Sequence, residues 1–200
     1  GLFSIRACAK TLYKQQMERK NNILQQQFHV SRPNEVWVSD VTYFSVFNRM
    51  YYICVIIDLY ARKVIAHKIS KHNSTQLTKA TVKTAYELRK PTENLLFHSD
   101  QGSNYTSTEF RKYLKSINIT QSFSNPGMPY DNSVMESFFG SFKREALYRY
   151  RFKTEKEFFQ TIDTYMTFYN EKRPHSILMN QTPAKFEAKY FNLYKENFDS

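Results

Sequence analysis

Three carboxylates occupy positions from which a folded scaffold could bring them together. Asp40 lies in Trp37-Val-Ser-Asp40-Val-Thr42 among the strand formers Val36, Val38, Val41 and Phe44, where an Asp is disfavoured and expensive to bury unpaired. Asp100 follows the apolar run Leu95-Leu96-Phe97 in His98-Ser99-Asp100-Gln101-Gly102, at a strand's C-terminal end, where open sheets present functional groups. Glu136 stands near the start of a helix whose core face is Met135, Phe138, Phe139, Phe142 and Ala146. It shares an adjacent stripe with Gly140, Lys143 and Leu147, along the border between core and solvent. Such a trio suits phosphoryl chemistry. Mg²⁺ takes a few carboxylate oxygens together with water and substrate phosphate, and two ions about 3.5–4 Å apart activate the attacking oxygen and stabilise the leaving one. The transfer needs no nucleotide cofactor, in keeping with a sequence that has no P-loop motif.

Each acid also has a plainer role open to it. Asp40 can accept hydrogen bonds from Thr42 or nearby backbone, Asp100-Gln101-Gly102 fits a turn, and Ser133-x-x-Glu136 fits a capping box.

The elements that must position these residues can be read from pattern. Val36 to Phe47, Tyr51 to Leu59 and Lys63 to Ile69 are β-branched and aromatic, with Asn48-Arg49-Met50 joining the first two, and read as an antiparallel meander. Ser74 to Lys90 has helical spacing and stops before Pro91. Leu95 to Phe97 reads as a short strand, Thr106-Ser-Thr-Glu109 as a capping box opening a helix, and Ile119 to Phe123 as another strand. Ser124 to Tyr130, with Asn-Pro-Gly-Met-Pro, is a loop. Helices follow over about 132–150 and 154–172, and a last one from about Pro183. Strands first, then strands alternating with helices, imply an α/β fold with a mixed sheet flanked by helices.

Composition narrows the partner. The 200 residues carry 29 Lys and Arg against 18 Asp and Glu, a formal charge of +11, which points to a polyanion such as nucleic acid or an acidic membrane surface. Residues 1–34 hold six basic groups and one acid, whereas residues 35–142 hold twelve and nine. The arm is basic and the middle nearly balanced. No apolar run approaches the length of a membrane-spanning helix; the longest is Tyr51 to Ile57. Cys8 and Cys54 form neither a disulfide framework nor a metal-ligand spacing, which places the chain in a reducing, cytoplasmic setting. Starting at Gly1 without a Met or signal pattern, it reads as a piece of a longer polypeptide.

At these residues the sequence strongly resembles the DDE transposases of bacterial insertion sequences, within the retroviral integrase superfamily, and within them the large group whose enzyme is a frameshift fusion of two reading frames. The likeness runs through Arg32-Pro-Asn-Glu-Val-Trp37-Val-Ser-Asp40-Val-Thr-Tyr43, Val55-Ile-Ile-Asp58-Leu-Tyr-Ala-Arg62, His98-Ser-Asp100-Gln-Gly-Ser-Asn-Tyr105 and Tyr130-Asp-Asn132-Ser-Val-Met-Glu136-Ser-Phe-Phe139. It continues through Phe168-Tyr-Asn170-Glu-Lys-Arg173-Pro-His175 and Thr182-Pro-Ala-Lys-Phe186. The resemblance implies an RNase H-like core in which Asp40, Asp100 and Glu136 are catalytic and bind two Mg²⁺ ions, with Mn²⁺ able to substitute. It implies copy-out and paste-in transposition, in which one strand is hydrolysed at a transposon 3′ end and the freed 3′-OH attacks DNA. Double-stranded DNA, as transposon end and target, is the expected partner, in a homo-oligomer that synapses two ends, nucleoid-associated in a bacterial cytoplasm.

The resemblance assigns Lys143 to DNA near the active site. Asn132, Arg144, Arg173 and His175 complete the expected DNA contacts, although Asn170-x-x-Arg173-Pro-His175 can equally serve only to stop a helix. The family's helix-turn-helix is not in the chain. Residues 1–34 therefore read as the linker after it, 35–150 as the catalytic core, and 151–200 as a helical extension of that core. Two other functions share these features: an RNase H-like nuclease or resolvase that only hydrolyses, and a catalytically silent DNA-binding module. Asp58 is expected in a turn or paired with Arg62, and His98 is either structural or a catalytic helper. The aromatics are expected in the core, with Tyr105 or Tyr130 as candidates for base stacking. Met128 and Pro129 are expected in a loop that moves on DNA binding.

Overall fold

The computed structural model describes residues 30–92, 94–124 and 132–196. The expectations for residues 1–29, the Asn-Pro-Gly-Met-Pro loop and Tyr130 lie outside these residues. β1 (Val36–Val46), β2 (Arg49–Asp58) and β3 (Lys63–Ser70) form the antiparallel meander. β4 (Leu95–Ser99) and β5 (Ile119–Phe123) add to β1 in parallel, giving the order β3-β2-β1-β4-β5. The first hairpin turns at Phe47 and Asn48, both at positive φ, rather than at Asn48-Arg49-Met50. Two left-handed residues match the twist of the paired strands, whereas a three-residue connection would shift the register.

Alternation along β1 divides the interior. Val36 and Val38 face one layer and Trp37 the other. The Trp37 side is covered by α1 (Thr75–Arg89), by α2 (Ser103–Thr106) and by α3 (Thr108–Ser116), through Val82, Ala85, Tyr105, Phe110 and Leu114. The Val38 side is covered by α4 (Ser133–Phe142) and α5 (Glu155–Glu171), through Met135, Phe138, Phe142, Phe158, Ile162 and Tyr169. α5 thus shares one core with β1 and β2. α6 (Pro183–Glu196) closes the chain against α5. No helix among the described residues is long and apolar enough to cross a membrane.

Two local readings change. α3 is capped by Ser107, whose Oγ accepts from the Phe110 N–H, and Glu109 pairs with Lys79 instead of closing a capping box from Thr106. The helix expected over 132–150 keeps α geometry only to Phe142, then widens into a π-turn, Lys143–Leu147. Straight α geometry would leave Leu147 on the border stripe with Glu136. The wider turn rotates it inward, and Ala146 and Leu147 are both buried.

Candidate active site

The parallel ladder between β1 and β4 runs from Val36 opposite Leu96 to Ser39 opposite Ser99. Asp40 is the next residue of β1 and Asp100 the first residue after β4, so the register brings them out side by side, about 5 Å apart at the backbone. Beyond Ser39, β1 continues without β4 beside it, so this edge opens where the two acids emerge.

Each carboxylate is held in place. Asp40 Oδ1 accepts from the Val41 N–H at 2.7 Å and Oδ2 from the Asn132 amide at 2.9 Å. Asp100 Oδ1 accepts from the Gly102 N–H at 2.9 Å, an Asx turn that opens α2. A Cβ on residue 102 would lie 2.9 Å from that same oxygen, so Gly is required for Asp100 to keep this pose.

Below the pair lies a buried polar knot. Ser39 Oγ donates to the Val55 carbonyl at 3.0 Å and lies 2.9 Å from the Tyr105 hydroxyl, with Cys54 beside both. The Gln121 amide holds the Tyr105 carbonyl at 2.8 Å. Tyr105 is thus a brace between β1 and the element following Asp100. It is 2% exposed, which removes it as a stacking platform for bases. His98 is also structural: it is buried, with Nδ1 2.9 Å from Ser122 Oγ.

Asn132 and Glu136 are one turn apart on the same side of α4. The residue that touches Asp40 therefore brings Glu136 to the same edge, with its side chain exposed. Burial lifts the Asp40 carboxyl from 3.8 to about 6; the Asp100 charge adds to this, and Glu136 adds a smaller push, against the Val41 N–H and the Asn132 amide. Among the described residues, no three acids, histidines or cysteines are clustered tightly enough to hold a metal ion as they stand. Asp40 and Asp100 leave the sheet side by side, with an exposed Glu136 in electrostatic reach of Asp40.

Of the other expected site residues, Lys143 lies with its Nζ 5.1 Å from the Tyr43 ring centroid, three residues along β1 from Asp40, and Arg144 is exposed. Arg173 forms a two-pronged pair with Glu145, Nε to Oε2 at 3.0 Å and Nη2 to Oε1 at 2.8 Å. His175 packs edge-on against Tyr169, 4.6 Å between centroids. Asn170 clamps Val64, accepting its N–H at 2.9 Å and donating to its carbonyl at 2.8 Å. Asp58 makes the expected turn, accepting from the Tyr60 N–H, and Arg89 lies 3.9 Å from it.

Sequence reasoning missed Asn132 as the support of Asp40. Its spacing of four from Glu136 was the available signal. The Tyr105 brace left no such mark, because a buried hydroxyl on an aromatic reads as core.

An integrase core domain family model matches residues 30–129, and a second integrase core domain model matches residues 117–183. The chain is 36% identical over 167 residues to the transposase for insertion sequence element IS904 of Lactococcus lactis subsp. lactis (strain IL1403), covering 83% of this chain and 66% of that protein. It is 35% identical over 165 residues to the putative transposase InsK for insertion sequence element IS150 of Escherichia coli (strain K12), covering 82% and 58%. The chain thus spans less than two thirds of these relatives. In structure it is similar to a simian T-cell lymphotropic virus intasome in complex with PP2A regulatory subunit B56 gamma, with a TM-score of 0.68 at 21% identity over 84% of this chain and 61% of that one. It is likewise similar to the HTLV-2 integrase catalytic core domain in complex with magnesium, with a TM-score of 0.63 at 19% identity over 78% and 97%. At such identities the likeness shows the fold, a mixed RNase H-like sheet.

Proposed function

The chain belongs to the integrase core family, with bacterial insertion-sequence transposases as its relatives, and on that premise we propose that it is the catalytic part of a transposase that cuts a DNA strand at a transposon 3′ end and joins the freed 3′-OH to target DNA. The observation that carries this reading is the β1–β4 register, which sets Asp40 level with Asp100 at an open sheet edge while α4 brings Glu136 to it.

Asp40, Asp100 and Glu136 are the catalytic carboxylates and the metal ligands. An all-oxygen donor set whose central member is raised by burial and by two further acids fits Mg²⁺, with Mn²⁺ substituting. Two bound ions would activate the attacking oxygen and stabilise the leaving one. The chain's own groups do the aiming: Asn132 and the Val41 N–H fix both oxygens of Asp40, and the Gly102 N–H fixes one oxygen of Asp100. Lys143, steadied on Tyr43, and Arg144 present cations to the DNA backbone beside this edge.

In this reading 35–150 is the catalytic core, 151–200 its helical extension and 1–34 a basic arm along DNA. The working form is a homo-oligomer on paired DNA ends at the bacterial nucleoid.

The test is an oligonucleotide assay with labelled ends in Mg²⁺. Asp40→Asn, Asp100→Asn and Glu136→Gln should each lower cutting and joining by about 1,000-fold, some 4 kcal/mol of barrier, while keeping the fold. Retained joining in any one of them would overturn its assignment. Cutting without joining by the unaltered protein would mark a hydrolytic nuclease instead.

A further inference from the structure

Beside α4, bordered by the core residues Phe138 and Tyr169, lies a cleft of about 790 Å³. Ser133, Ser137 and Ser141, spaced i, i+4, i+8, form one wall on the helix face next to the stripe of Glu136. Arg62, Arg173 and His175 face them across the cleft, and among the described residues its lining contains no carboxylate.

The polar groups here are unevenly satisfied. His175 bonds the Tyr169 carbonyl through one ring nitrogen, while its buried Nε2 has no hydrogen-bond partner. A buried polar atom left unpaired costs free energy that a ligand can return. Arg173 is committed to Glu145, yet its Nη2 also reaches Ser141 Oγ at 3.4 Å. That contact uses an oxygen lone pair and turns the Ser141 hydroxyl hydrogen away from Arg173, so the Glu145–Arg173–Ser141 chain delivers a polarised donor to the cleft.

We infer that this cleft holds a backbone phosphate of the DNA strand engaged at Asp40, through the hydroxyls of Ser137 and Ser141 and the Nε2 of His175. The inference rests on the transposase reading for the identity of the strand, since the serines lie on the same helix, α4, as Glu136. With Nδ1–H given to Tyr169, neutral His175 has only a lone pair at Nε2, so engaging a phosphodiester requires uptake of one proton from solvent. Burial, with the Arg173 and Arg62 charges, holds the ring below 6.5, against the Tyr169 carbonyl and the Glu145 charge. A bound phosphate opposes the two guanidinium charges and favours that proton.

The test measures binding of the chain to a fluorescent duplex in Ca²⁺, with single phosphates replaced in turn by uncharged methylphosphonates. One position should cost the unaltered protein about ten-fold in affinity, the worth of a hydrogen bond to a charged group. Ser137→Ala/His175→Gln should bind the unmodified duplex about ten-fold more weakly and lose nothing further at that position. The cost at that position should be larger at pH 6 than at pH 8 in the unaltered protein and independent of pH in the double variant. Ser137→Ala alone, at an exposed position, carries the same comparison should the histidine variant fail to fold. Equal losses in variant and unaltered protein at every methylphosphonate would overturn the inference, as would unchanged affinity of the variants. Asp100→Asn separates the two ideas: continued cutting by it would sink the catalytic assignment and leave this phosphate map standing, whereas lost cutting with no such position would sink the cleft alone.

Discussion

Asp40 and Asp58 begin in the same difficulty. Both lie in the central hairpin, where Asp40 pairs with Val55 and Asp58 with Trp37, three residues along β1. Burial lifts each carboxyl to about 6. Their surroundings then part. Asp58 accepts from the Asn34 and Tyr60 N–H groups and lies 3.9 Å from Arg89, which also binds Glu187, and Lys63 reaches Glu187 at 2.6 Å. Burial would raise Glu187, but Arg89 and Lys63 hold it below its ordinary value. At Asp40 the two charges that act most strongly are the acids Asp100 and Glu136. One cluster brings its own cations and fastens α6 to the sheet; the other collects negative charge at an open edge. The difference separates an acid cluster compensated within the fold from one whose strongest neighbours are further acids.

Substitution can break this contrast from either side. The largest effect after loss of a proposed catalytic carboxylate is expected at Glu187→Ala, which strands Lys63 and leaves Arg89 with Asp58. Removing one partner of a buried pair costs about 3 kcal/mol, read as a fall in the urea midpoint with metal-dependent cutting preserved below it. A stability unchanged within 0.5 kcal/mol, the usual range of surface substitutions, would show that the internal cations do not carry that cluster.

The converse change, Asn132→Lys, places an ammonium against Asp40 and makes the open site resemble the closed one. Cutting in Mg²⁺ should fall by about 30-fold, roughly 2 kcal/mol, because the lysine competes with the metal. More Mg²⁺ should restore part of it. Loss of activity that Mg²⁺ does not relieve would argue for a purely structural Asn132.

The smallest effect concerns Asp40→Asn without metal. The folded Asp40 lies above its ordinary 3.8, at about 6, so its charged form is disfavoured in the fold. Its contribution to stability is fully present below about pH 4 and is lost as pH rises through about 6. The variant removes that loss. Allowing for one weakened hydrogen bond and partial exposure, it should be more stable than the unaltered protein by about 1 kcal/mol at pH 7.5 and equal to it near pH 4. Mg²⁺ should stabilise only the unaltered protein. Asp58 is common to both proteins, so its own titration cancels in the comparison. A variant less stable than the unaltered protein at pH 7.5 would mean that Asp40 carries no unpaired charge.

Much of this was visible in the chain. The meander, the parallel strands and the helix at Glu136 follow from side-chain periods of two and of about four, which local sequence carries directly. Asp40 stood out because it breaks a strand pattern, and Asp100 because it ends one. Asn132 and Arg173 did not show their partners. Asn132 meets Asp40 across 92 residues, and Arg173 meets Glu145 across 28. Asp58 is expected in a turn or with Arg62, four residues away; it makes the turn, and Arg89 from α1 lies 3.9 Å from it. The π-turn was hidden for a related reason: only packing against the sheet asks Ala146 and Leu147 to be buried together.

The sequence by itself determined which residues are candidates for chemistry and which elements carry them, because hydrophobic period, strand-breaking acids and motif spacing are local properties. The tertiary structure alone decided which of the described acids have a cation beside them. Charge compensation depends on distance between groups far apart in the chain, and only the folded sheet brings Arg89 and Lys63 to one cluster while it leaves Asp40 to face Asp100 and Glu136.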